Sequence, residues 1–122
     1  MTDRKVRETA PRTGVELIVS ERQRQVEKEH WSAEHDDGHS GEELAWAAAC
    51  YAAPGRIYFQ SHHADGVCFA DPWPWDDSDD KRKTHGSNFV DNLPADVGGR
   101  VRMLVKAGAL IAAEIDRLQR AP

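Results

Sequence analysis

The chain has 122 residues, 39% hydrophobic and 30% charged, with a mean hydropathy of −0.70 and a net charge of −5. That length holds one domain with a modest core, and the acidic balance excludes the basic surface that general duplex nucleic-acid binding requires. No run approaches the roughly 18 apolar residues of a membrane span, the start Met1-Thr2-Asp3-Arg4-Lys5 lacks a signal peptide's apolar stretch, and two cysteines make no disulfide framework, so a cytoplasmic protein is expected. Against this polar background stand four tryptophans, two of them in Trp73-Pro74-Trp75.

Residues 1–13, with Arg4, Lys5, Arg7, Arg12 and a proline at 11, read as a flexible N-terminal arm. Residues 14–122 read as a single small domain. Thr13-x-x-Glu16 has the form of a capping box and predicts a helix from Gly14 to about Glu29, with Leu17, Ile18, Glu21, Gln25 and Val26 inward. A loop dense in polar side chains follows from His30 to Gly41. Ser40-x-x-Glu43 then predicts the cap of a second helix, an alanine-rich run from Glu42 to Ala53 that stops at Pro54-Gly55. Trp46 and Tyr51 on that helix are expected in the core.

Two β-branched and aromatic runs, Arg56–Gln60 and Val67–Ala70, predict a hairpin around the loop 61–66. An isolated two-stranded ribbon is marginal in water, so it is expected to pack on the helices or on another subunit. Asp76 to Asp80 followed by Lys81-Arg82-Lys83 sets an acidic block against a basic one, the pattern of a solvated loop. The last helix is expected from Val97 or Arg100 to Arg120. Its Val101, Leu104, Gly108, Ile111, Ile115 and Leu118 follow a 3-4 spacing that predicts one apolar seam, with Ala107, Gly108, Ala109 and Ala112 as a small-residue saddle facing the alanine-rich helix. The fold class is therefore mainly α with a small β-hairpin, an α+β domain on a three-helix core. So small a core predicts a homodimer or higher homo-oligomer.

Three sets of side chains carry chemistry. His35, Asp36 and His39 have donor types that suit a divalent metal, whereas acids near a helix start and hydrogen-bonded histidines explain the same residues without one. The carboxylates Glu21, Glu29, Glu42, Glu43, Glu114 and Asp116 bear a loose similarity to the helical MazG-type nucleotide pyrophosphatases, but Glu114-x-Asp116 lacks their spacing. No nucleophile elbow or phosphate-binding glycine loop is present, and both cysteines are expected as buried, inert thiols. The third set is aromatic. Trp31, Trp73 and Trp75 can stack on a purine, Arg22, Arg82 and Lys106 can pair with phosphates, and Asp36, Asp37 and His39 can meet ribose or base edges.

The segments Glu21-Arg22-Gln23-Arg24-Gln25, Trp31-x-x-Glu34-His35-Asp36-Asp37-x-His39, Glu43-Leu44-Ala45-x-Ala47-Ala48-x-Cys50-Tyr51, Trp73-Pro74-Trp75 and Leu104–Ile111 resemble a family of small proteins from phage and prophage accessory regions. Lys83-x-His85 and Leu93-Pro94 are faintly similar to RyR-type domains. The phage resemblance implies a counter-defence protein in the host cytoplasm. Its expected partner is a nucleotide-derived immune signal, such as a cyclic ADP-ribose or a cyclic dinucleotide, held without cleavage and without a cofactor. The alternatives are a metal-dependent nucleotide hydrolase using Glu21, Glu29, His35, Asp36, Asp37 and His39, or a module that docks its tryptophans on a host protein.

Overall fold

The structure is a computed structural model that describes residues 12–80 and 97–122. Most of the expected N-terminal arm, the basic block with Arg82, and the RyR-like stretch lie outside the described residues. The order is α1 (Gly14–Lys28), α2 (Ala33–Asp37), α3 (Glu43–Ala52), β1 (Phe59–His63), β2 (Gly66–Ala70), a 3₁₀ turn at Asp77–Asp79, and α4 (Val97–Arg120). This is the mainly helical α+β architecture, with one antiparallel hairpin, that the sequence predicts.

The first helix starts where its cap places it. Thr13 Oγ1 accepts from the Glu16 N–H, and Glu16 Oε1 accepts from the Thr13 N–H at 2.8 Å. The loop expected after it contains a further short helix, α2, because Ser32 caps it by accepting from the His35 N–H. The cap expected for α3 does not form. Glu42 occupies the cap position at φ 65 with no side-chain hydrogen bond, and Glu43 turns to His39 Nδ1 at 3.1 Å instead of reaching back to Ser40.

The core lies between α3 and α4. Leu44, Ala47, Ala48 and Tyr51 of α3 interlock with Met103, Ala107, Leu110 and Ala113 of α4. Alanines on both faces let the backbones approach closely, so the few large side chains fill the remaining space. Arg100 fastens this pair at one end: its guanidinium donates to the carbonyls of Tyr51 and Ala53 at 3.2 and 3.3 Å, and to that of Ala52. A cation on the last carbonyls of α3 also complements the negative end of the helix.

The apolar seam expected along α4 is not the buried one. Val101, Leu104, Ile111, Ile115 and Leu118 are between 40% and 53% exposed, while the neighbouring stripe Met103, Ala107, Leu110, Glu114 and Arg117 faces inward. The 3-4 pattern occurs twice on this helix, once with large apolar residues and once with small and charged ones. The alanine face of α3 selects the second. Glu114 and Arg117 are tolerated there because they pair with each other, Arg117 Nε donating to Glu114 Oε1 at 2.7 Å. At Gly108 the expected saddle is used, but by α1: a Cβ at this position would meet Ile18 Cδ1 at 2.5 Å.

Other expected core positions also differ. Tyr51 is buried, but Trp46 is 40% exposed and meets Phe59 edge-on at 4.3 Å between ring centroids. Val26 is exposed, and so is Cys68, whereas Cys50 is buried as expected. The hairpin sits three residues later than its predicted first strand. The register pairs Phe59 with Ala70 and His63 with Gly66, so Ala64 and Asp65 alone make the turn and Gly66 takes φ 138. Every strand residue is exposed, so the expected packing onto the helices is limited to edge contacts such as Trp46 on Phe59.

Candidate ligand-binding cleft

Chain direction after α1 is set by one residue. His30 adopts φ 60, which turns the backbone so that the Trp31 N–H donates to the Gln25 carbonyl at 3.0 Å. A non-glycine residue in this region is uncommon and costs strain, which here places an indole beside the end of α1. Trp31 stacks nearly parallel on the His35 ring, 5.7 Å between centroids, and His35 meets His39 edge-on at 4.8 Å. From the segment after the hairpin, Trp75 lies 6.1 Å from Trp31 and 5.3 Å from His39. Trp73 stands perpendicular to both Trp75 and Tyr51 at 5.5 Å. The Asp71 carboxylate fixes this wall by accepting from the Trp73 N–H at 3.0 Å.

These rings line a cavity of about 520 Å³, within the roughly 300–1,000 Å³ of small-molecule sites. Its remaining lining comes from Glu21, Arg24, Gln25 and Glu29 at the end of α1, Asp76 and Asp79 beside the 3₁₀ turn, and Lys106 and Leu110 of α4. Arg24 grips Glu21 with two hydrogen bonds of 2.9 and 2.7 Å, and reaches Glu29 with a third at 2.9 Å. These bonds raise the Arg24 pKa still further above its ordinary value. Burial pushes the Glu21 carboxyl up, but the Arg24 hydrogen bond and the charges of Lys106 and Arg24 outweigh it, so the carboxyl lies below its usual range. Lys106 Nζ stands 3.9 Å from Glu21 Oε2, too far for a hydrogen bond. Burial lowers the Lys106 pKa, and Glu21 only partly opposes it.

The sequence-predicted site residues divide accordingly. Trp31, His39, Trp73, Trp75 and Lys106 line the cavity. Arg22, Asp36 and Asp37 do not: Asp36 is fully buried and accepts from Arg22 Nη2 at 2.6 Å, and Asp37 accepts from Arg120 Nη2 at 2.8 Å. These are bonds that hold α2 against α1 and α4. Arg82 lies outside the described residues. In the alternative metal set, His35 Nδ1 faces Asp36 Oδ1 at 3.3 Å and His39 Nδ1 faces Glu43 Oε2 at 3.1 Å. Among the described residues, no three His, Cys, Asp or Glu side chains are grouped to hold a metal ion.

Arg24, one of the cations the sequence offers for a phosphate, lines the site, and Gln25 and Tyr51 line it without having been singled out for it. Glu21, Arg24 and Gln25 share one face of α1 at three- and four-residue spacing, which was visible. That this face looks into a cavity depended on the turn at His30 and was not. No family model, curated protein or solved structure matches the chain, so function rests on this geometry.

Proposed function

We propose that the protein binds a small nucleotide-derived molecule in this cleft and sequesters it unchanged, the counter-defence role that the resemblance to phage accessory proteins implies. The observation that carries the reading is the meeting of Trp31, Trp73 and Trp75, from stretches some forty residues apart, around one cavity that Lys106 also lines. Indole faces stack on any purine, and a partly desolvated ammonium attracts a phosphate oxygen. Lys106 is suited to this because its existing ion pair is loose, whereas Arg24 is saturated by two carboxylates.

Glu21 and Glu29 are bonded to Arg24, His35 faces Asp36, and His39 faces Glu43. Paired in this way the carboxylates are held in place while each imidazole keeps its Nε2 open among the described residues, so recovery of intact nucleotide is what separates binding from conversion.

The test is to incubate the protein with cyclic ADP-ribose and cyclic dinucleotides, remove excess ligand, denature, and identify what is released by mass spectrometry. Intact nucleotide, recovered from the unaltered chain and lost from Trp31→Ala and Trp75→Ala, is expected. Each truncation should weaken binding about fivefold or more, from stacking worth about 1–3 kcal/mol per base. Release of altered nucleotide would favour the hydrolase instead, and no retention of any nucleotide would refute the proposal.

A further inference from the structure

Two buried polar atoms at the cleft residues have no partner, and both have a fixed chemical sense. Gln25 is only 2% exposed, and its Nε2 donates to Glu21 Oε2 at 3.3 Å. An ionised carboxylate only accepts, so the amide cannot be reversed and Oε1 must be the remaining acceptor. That oxygen meets no donor. Trp75 Nε1 is a donor and nothing else, is buried, and meets no acceptor. By contrast, the Trp73 indole N–H is spent on the Asp76 carbonyl at 3.0 Å. Buried groups of this kind are normally satisfied, and an unsatisfied acceptor and donor on two residues that line one cavity suit a ligand that supplies the opposite pair.

Resting on the nucleotide reading above, we propose that the cleft selects an amino-bearing base of the adenine type: Gln25 Oε1 accepts from the exocyclic amino group, and Trp75 Nε1 donates to a ring nitrogen. Adenine carries these two functions side by side on one edge of a flat ring, which the neighbouring indoles can cover. Lys106 then takes the phosphate. Four carboxylates line the cleft against the two cations Arg24 and Lys106, which favours a ligand of low negative charge with N–H donors over a polyphosphate.

The experiment titrates the full chain with adenosine 5′-monophosphate, with purine riboside 5′-monophosphate, which lacks the exocyclic amino group, and with choline, a cation that aromatic cages bind. Indole fluorescence and calorimetry read the binding. Purine riboside monophosphate is expected to bind at least tenfold more weakly than the adenosine nucleotide, a difference of about 1.4 kcal/mol. Gln25→Met should bring the adenosine nucleotide down to the level of the purine nucleotide and leave the latter unchanged. Trp75→Phe, which keeps a ring and loses the N–H, should weaken both alike. The comparison of the two nucleotides on the unaltered chain needs no variant to fold. Equal affinity for both nucleotides would overturn the base selection while leaving the cleft a nucleotide site. Binding of neither would overturn this inference, and the nucleotide reading falls with it where the cyclic nucleotides are not retained either, whatever the response to choline.

Discussion

Asp36 shows how a residue that looks like a ligand contact can be a structural one. Its side chain is fully buried, and its charge is matched by Arg22 at 2.6 Å. Removing one partner of a buried pair leaves the other uncompensated, at a cost of about 3–5 kcal/mol. Arg22→Ala is therefore expected to lower stability by about 3 kcal/mol, readable as a shift in the urea midpoint. A variant as stable as the parent would contradict this account of the pair. At this scale the sequence was only partly legible. The tryptophans and Lys106 are distinguished by type and setting, but a carboxylate in a ligand site and one in an ion pair look the same until the packing of α1 on α2 is known.

At the scale of helices, the contact between Gly108 and Ile18 decides how α1 crosses α4. Alanine is favoured over glycine within a helix by about 1 kcal/mol, but its methyl group would meet two Ile18 side-chain carbons at 2.5 and 2.8 Å. Overpacking of this kind costs about 1–3 kcal/mol. Gly108→Ala is expected to destabilise the chain by about 1 kcal/mol, and the same change in an Ile18→Ala background should stabilise by a similar amount. A double-mutant cycle in thermal or chemical unfolding measures the coupling, and additive effects would show that the contact is not made. The helices themselves were readable, since Thr13-x-x-Glu16 and the alanine run depend on local chemistry alone. Which stripe of α4 turned inward was not, because two stripes share the 3-4 spacing and the choice is made by α3.

For the whole molecule, the outer stripe of α4 stays half exposed, and Val15 and Val19 of α1 are exposed as well. Exposed large apolar side chains in such number favour association, in keeping with the oligomer expected from the sequence. Sedimentation of the unaltered chain should give a mass above 13.6 kDa that falls on dilution, and the double variant Ile111→Lys, Ile115→Lys should remain monomeric. A monomer at every concentration would refute the expectation. The sequence leads to the oligomer from core size alone, but it expected the large apolar stripe to be buried, when it is the part left outside.

The bond from Arg100 to the end of α3 has a different kind of consequence. It joins the last turn of one core helix to the first turns of the next, although residues 53–96 run between them in the chain. The two core helices are thus tied to each other directly, and the connection rests Trp73 and Trp75 on the core they form. Whatever loosens the Arg100 bond is therefore passed through Tyr51 to the aromatic wall of the cleft.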